Sequence, residues 1–373
     1  MIGRASALTL SGVVLTFVAF TFDAAPLFVV GIAFSALGLG AAGCVWCSAR
    51  GVSVHRRCSA GQVVEHEPLE ATIEVRRGRL RLARSELRDP LAGASLPLGR
   101  TGRVVTLTVS ARFDRRGRRR LEPPALVLGD ALGLARLVCP GTGEPQELIV
   151  LARTERVRWS QAGGSASAAQ FSAAGRTQTL AAPEVDGLRR YRPGTPASRI
   201  HWPALARGAG LLERQLAPDC EPRPLIVLDA RGPRLELIDA AVRAAASLAL
   251  ELARGGGCAL LLPGERRATA IGRDLAGWDA AQIRLALVQG GPTAPAPTLR
   301  EAPAGPVFYV AARALGRRPA ALRGGRARSA CLLVVPHALA DQLSGTPRFT
   351  VSGCSGFTLA PRSAGIDSGH RAA

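Results

Sequence analysis

The feature that most constrains this chain lies at its start. Residues Ala5–Phe22, ASALTLSGVVLTFVAFTF, carry no charged side chain, and neither do residues Leu27–Ser48, LFVVGIAFSALGLGAAGCVWCS. Each run is close to the ~20 residues that an α-helix needs to cross the hydrocarbon core of a bilayer. A helix satisfies its own backbone N–H and C=O groups, which lipid cannot do. The intervening DAAP, Asp23–Pro26, supplies a charge and a proline, as suits a tight turn outside the hydrocarbon. The sequence therefore predicts a transmembrane hairpin in residues 1–50, with spans at 5–22 and 27–48. Arg4 precedes the first span, and Arg50, Arg56 and Arg57 follow the second. The positive-inside rule then places the chain in the inner or plasma membrane, with its soluble domains in the cytoplasm. A cleaved signal peptide is the rival reading, but a second uncharged span directly behind the first argues against it.

At 373 residues the chain is long enough for two or three units with cores of their own. The formal net charge is +20, and all 48 basic residues are arginine. The arginine bias, with abundant Ala and Gly, reads as mutational pressure on codon usage. Aromatics make up only 4% of the chain, so the stacking surface of a nucleic-acid binder is not expected, and no nucleic-acid partner is assigned. The absence of lysine is more decisive, because a Walker P-loop and a Schiff base both require an amine. The eight cysteines are mostly isolated in apolar runs and read as small buried side chains, not as a disulfide framework. The pair in CVWC, Cys44–Cys47, ends a membrane span, and no second pair completes a zinc site.

After the hairpin the apolar period becomes two. Leu69, Ala71, Ile73 and Val75 alternate in EPLEATIEVRRG, and Val105, Leu107 and Val109 do so in RVVTLTVSARF. PALVLGD and QELIVLAR add short strands, so residues 52–155 are expected to form a small antiparallel sandwich-like β domain. The run DRRGRRRLEPP, Asp114–Pro124, reads as a solvated hairpin tip, with a touch on anionic lipid headgroups as the sharper alternative. Residues 160–186, rich in Ala, Ser and Gly, read as a loop within a connecting region, 156–221. Beyond it, apolar runs such as PLIVLD, CALLLP, PVFYVAA and ACLLVVP alternate with amphipathic helical patterns at 234–257 and 278–291. That alternation predicts a doubly wound α/β domain over 222–361, with a disordered tail over 362–373.

The connecting region carries the most distinctive motif. GLRRYRPG (Gly187–Gly194) is followed by RIHW (Arg199–Trp202) and then Ala206-Arg207. These residues resemble the signature of a bacterial family, domain of unknown function 58: Gly-Leu-Arg-x-Tyr-x-Pro-Gly-Asp, then Arg-x-Ile-x-Trp, then Ala-Arg. RRGRRRLEPPALVLGDALGL, Arg115–Leu134, is similar to the segment that precedes it in the family. Thr195 stands where the family usually has Asp, and Pro203 where it usually has Lys. The resemblance implies a membrane-anchored accessory protein found with MoxR-type AAA+ ATPases and other envelope proteins, and a C-terminal region like a von Willebrand factor A domain. The implied fold class is an α+β multidomain membrane protein. In that fold a first strand ending in Asp-x-Ser-x-Ser coordinates a divalent cation. Here the corresponding DARGP offers Asp229 alone, while Arg231 would repel the cation and pair with the Asp. The expectation is a degenerate site, with no metal and no cofactor.

No catalytic constellation assembles. The five histidines, His55, His66, His201, His337 and His370, lie in unrelated contexts, and none accompanies a Gly-x-Ser-x-Gly elbow. SGCSG, Ser352–Gly356, follows the last expected strand and reads as a turn. An enzyme with an unrecognised hydrolytic site, and binding of nucleic acid or anionic lipid through arginines, stand as alternatives to a non-enzymatic accessory role. Within the signature, Gly187, Leu188, Arg189, Tyr191, Pro193, Gly194, Arg199, Ile200, His201, Trp202, Ala206 and Arg207 are the candidate binding residues. The plainer reading of the same residues is a polar joint between domains. There, Glu184, Asp186 and Glu213 would pair with the arginines, RPGTP would turn, a short helix would run from Pro203 to Arg207, and Trp202 would bury its ring.

Overall fold

The computed structural model describes residues 3–78, 84–99, 102–160, 185–191, 200–208, 210–216, 223–298, 305–315, 330–341, 343 and 345–359. The chain divides into two units, Met1–Val150 and Leu151–Ala373, and it mixes helices with several sheets.

In the first unit, α1 (Gly3–Thr21) and α2 (Ala25–Ala49) are both long and apolar enough to cross a membrane. The link between them bends at Asp23, whose φ is 50°, and Pro26 sits in the first turn of α2, where its missing N–H costs nothing. The two helices touch through small residues. A Cβ on Gly12 would lie 2.6 Å from the carbonyl oxygen of Gly31, and one on Gly38 would lie 2.6 Å from that of Ala5. Such close backbone approach is how helices associate where lipid removes the hydrophobic drive. Thr9 and Thr16 return their hydroxyls to Ala5 O and Gly12 O at 2.8 Å, so no polar atom is stranded. Outward, Leu10, Phe17, Phe20, Val29, Ile32 and Leu39 are all more than half exposed, an apolar surface that water disfavours. Arg50 lies 3.5 Å over the ring of Trp46 at the end of α2, a cation–π contact.

The rest of this unit is three antiparallel sheets. Its strands are β1 (Ser53–Cys58), β2 (Gln62–Val64), β3 (Pro68–Arg76), β4 (Arg84–Arg88), β5 (Leu96–Pro97), β6 (Val104–Arg112), β7 (Gly117–Leu121), β8 (Ala125–Gly129), β9 (Arg136–Pro140) and β10 (Gln146–Leu151). They order as β1-β3-β6, β2-β10-β7 and β5-β4-β8-β9. Leu69, Ala71, Ile73 and Val75 all point into one core, as their alternation requires. The arginine run differs from its expectation: β7 is a strand, paired antiparallel with β10, and only Asp114–Arg116 precede it as a turn. Its arginines hid the strand, because β7 buries only Leu121 and shows no apolar alternation.

The second unit holds β11 (Arg158–Trp159), β12 (Val185–Arg190), α3 (Trp202–Ala206), β13 (Leu212–Leu216), β14 (Leu225–Asp229), α4 (Leu235–Gly256), β15 (Cys258–Leu261), β16 (Thr269–Ile271), α5 (Trp278–Leu287), β17 (Val307–Ala311), β18 (Cys331–Pro336), α6 (His337–Ala340), β19 (Phe349–Val351) and β20 (Cys354–Leu359). Eight of the strands form one sheet, β11-β19-β20-β18-β17-β14-β15-β16, parallel from β18 to β15 and antiparallel beyond. Counting from β14 as first, β16-β15-β14-β17-β18 runs 3-2-1-4-5, with β16 antiparallel at the edge. Ile226, Leu228, Phe308 and Val310 pack with α4 and α5 in one core, while Leu225, Val227, Val307 and Tyr309 belong to a second core. Strands buried on both faces explain the unbroken apolar runs. SGCSG is both turn and strand: Ser352 (φ 47°) and Gly353 (φ 74°) close the β19–β20 hairpin, and Cys354 starts a further strand.

Candidate functional site

The signature segment folds largely as a hairpin. β12 pairs with β13, setting Gly187 opposite Gln215, Leu188 opposite Arg214 and Arg189 opposite Glu213, with a register shift between Val185 and Gly187. Tyr191 N–H donates to Leu211 O at 3.0 Å, and Ile200, 8% exposed, bridges to Glu213. Glu213 itself is buried. His201 donates its backbone N–H to Leu212 O at 2.8 Å, and its Nδ1 accepts from Ala204 N–H at 3.1 Å, so the imidazole caps α3. A side chain already accepting a cap hydrogen bond is a structural histidine. Pro193, Gly194 and Arg199 lie outside the described residues, as do the expected RPGTP turn and Glu184.

The short helix begins one residue before Pro203 and ends at Ala206, with Arg207 and Gly208 (φ 78°) closing it. Trp202 departs from its expectation: its ring is 55% exposed. In a five-residue helix only one side can face inward, and Ala204 takes it. Leu205 and Leu211 are also exposed, as are Arg190, Ala206 and Arg207. The segment thus exposes one indole, two leucines and two arginines.

A second polar constellation stands at the carboxyl ends of β14 and β17. β14 is followed through α4 by its neighbour β15, whereas β17 lies on its other side; this is the switch point at which α/β sheets open a crevice. Asp229 ends β14 with its side chain 0% exposed, opposite Ala311 in the register. Its Oδ1 accepts the Arg231 backbone N–H at 3.1 Å and Nε–H at 2.8 Å. Its Oδ2 accepts Arg231 Nη2–H at 2.7 Å and the Tyr309 hydroxyl at 2.9 Å, with Arg313 Nε at 3.6 Å. Burial alone pushes this carboxyl up, but the Arg231 fork, its backbone N–H and the Tyr309 hydroxyl overcome it and hold the group below its ordinary 3.8. Burial and the adjacent carboxylate raise the Tyr309 phenol. Arg231 is therefore paired with Asp229, the geometry its place in DARGP suggests. The mouth is filled by backbone as well. A Cβ on Gly232 would sit 2.7 Å from Ala312 O, and one on Gly290 2.7 Å from Ala230 O. Sequence reasoning missed Tyr309 and Arg313, which stand about 80 residues away and join Asp229 only through parallel pairing.

Among the described residues no group of three or more His, Cys, Asp or Glu side chains could hold a metal ion. The remaining histidines do not gather: His55 meets Thr142 Oγ1 at 2.8 Å, His66 lies 3.5 Å from Asp114, His337 starts α6 exposed, and His370 is outside the described residues. Ser352 Oγ lies 3.1 Å from Ser247 Oγ, a hydroxyl pair without a base. Burial pushes the Cys258 and Cys354 thiols up to about 12, which makes them poor nucleophiles. No protein-family model and no curated protein matches the chain.

Proposed function

We propose that this chain is a membrane-anchored accessory protein that docks a MoxR-type AAA+ ATPase through its signature segment. The observation that carries the reading is the exposure of Trp202, Leu205 and Leu211 beside Arg190 and Arg207. Large apolar side chains held in water at a structured hairpin are costly without a partner, and Trp with Arg is the composition of binding hot spots. The partner class comes from the resemblance to domain of unknown function 58, which rests on the signature residues themselves. The 3-2-1-4-5 strand order supports a von Willebrand A-like reading of the second unit. In that reading Asp229 is the remnant of a cation site, and the Arg231 fork that occupies its oxygens supports docking without a metal. The apolar α1–α2 hairpin supports anchoring, and Arg4 with Arg50 at its ends supports a cytoplasmic soluble part, where an ATP-driven partner works.

Crosslinking in native membranes that contain the ATPase tests this. Trp202→Ala with Arg207→Ala is expected to lower capture of the ATPase roughly tenfold or more, since hot-spot truncations cost about 2 kcal/mol or above. Undiminished capture by a folded double variant refutes the docking role.

A further inference from the structure

The turn Asp130–Ala135 and the first turn of α1 enclose a cavity of about 510 Å³, whose wall includes Arg4, Arg84, Glu86, Asp130, Leu132 and Arg136. The turn is rigid. Asp130, 6% exposed, accepts Ala135 N–H on Oδ1 at 2.6 Å and Leu132 N–H on Oδ2 at 2.9 Å. Ala5 N–H donates to Leu134 O at 3.0 Å, which fastens α1 to the same turn. Both of the wall's carboxylates are thereby accounted for, because Glu86 pairs with Arg136 at 3.0 Å. Arg4 and Arg84 are exposed and have no hydrogen-bond or ion-pair partner among the described residues. Three guanidinium groups against two carboxylates leave the cavity with a positive charge, carried by these two. Gly133, which also lines the cavity, takes φ +75°, a backbone conformation that favours glycine in this turn. At the mouth, Leu132 is 68% exposed.

Arg4 belongs to the first turn of a helix long and apolar enough to cross a bilayer, so the cavity lies where α1 leaves the hydrocarbon. We infer that it seats the headgroup of an anionic phospholipid, its phosphate held by Arg4 and Arg84 and its acyl chains against Leu132. A weakly hydrated guanidinium fork matches phosphate oxygens, and an exposed leucine at that depth belongs among acyl chains. The arginines of β7 are a poorer seat: Arg118 is drawn to Glu147 at 3.6 Å and Arg120 to Glu122 at 3.2 Å.

The inference rests on reading α1 and α2 as membrane spans, and the test separates the two. The full chain is reconstituted in nanodiscs of phosphatidylcholine with and without phosphatidylglycerol, and retained lipid is read by native mass spectrometry. Phosphatidylglycerol is expected to be held in preference, and Arg84→Gln to weaken its retention roughly fivefold, the usual worth of one arginine at an anionic surface. The control Arg119→Gln on β7 is expected to change nothing. Equal retention of the two lipids, or equal loss from Arg119→Gln, overturns the inference, and so does displacement by inorganic phosphate at equal concentration, which marks a soluble-phosphate site. Alkaline carbonate extraction of the wild-type chain reports on the spans alone: release from membranes refutes anchoring, whereas retention without lipid preference refutes only the headgroup seat.

Discussion

Arg56 stands in a run, His55-Arg56-Arg57, that a charge count assigns to the surface flanking a membrane span. The fold puts it in the β-domain core instead. Its side chain is 2% exposed, Nη1 meets Asp89 Oδ2 at 3.0 Å, Nη2 donates to Leu121 O at 3.0 Å, and Asp89 Oδ1 accepts Leu91 N–H at 2.7 Å. Nothing local distinguishes Arg56 from Arg57; only strand parity does, by turning alternate residues of β1 inward. Removing one partner leaves a buried charge, so Arg56→Ala is expected to cost about 3–5 kcal/mol in chemical unfolding. The double change Arg56→Met, Asp89→Leu should cost clearly less, and an additive result would show that the pair is not coupled. Asp229 gives a pH signature. Its native carboxyl lies below its ordinary 3.8, so its contribution is fully present above that value and is lost as acid protonates the folded state. Asp229→Asn should therefore flatten the acid side of the stability profile; an unchanged acid limb would show that the Arg231–Tyr309 pairing adds nothing to stability.

At the scale of elements, what periodicity could show was the long strands and helices. The alternation of β3 was legible because one-sided burial imposes a period of two, the apolar runs of β14, β17 and β18 because both faces are buried, and the two N-terminal helices because uncharged runs of ~20 residues match a bilayer. β7 was not, because GRRRL buries only Leu121, and β12 and β13 were not, because VDGLRR and LERQL carry no apolar alternation. Of the candidate site, the hairpin's residues and the short helix were legible, while the exposure of Trp202 follows from Ala204 taking the inward side of α3, which no spacing encodes. The α1–α2 contact offers a clean test. Gly31→Ile forces bulk against Thr16 and Gly12, whereas Gly40 has nothing within 4 Å of a Cβ. Gly31→Ile should lower the melting temperature of the detergent-purified chain, with a cost of about 1–3 kcal/mol, and Gly40→Ile should leave it alone. Equal behaviour of the two would mean that the helices do not pack this way.

Across the whole molecule, the two units bury their cores separately, one in small antiparallel sheets and one in a mixed eight-stranded sheet whose four central strands are parallel. Cysteine chemistry divides along the same lines as burial. Cys258, Cys331 and Cys354 are buried, and Cys44 is exposed. Alkylation of the native chain should spare Cys258 and Cys354 until denaturant is added, as mass spectrometry of the peptides would show; rapid native labelling of Cys354 would contradict its placement in β20. In the proposed membrane reading, topology reporters placed before α1 and after α2 are expected on the same side of the membrane, and reporters on opposite sides would refute the two-span hairpin.

The hydrogen bond from Ala5 to Leu134 has a consequence in time. Ribosomes make Leu134 only after Ala5 and most of the β domain, a delay on the order of ten seconds at cellular elongation rates. In the proposed membrane reading, α1 enters lipid with the Ala5 N–H not yet bonded to Leu134 O, because the turn that receives it is made later. On that reading insertion precedes folding of the β domain, which later closes onto the end of α1 like a latch.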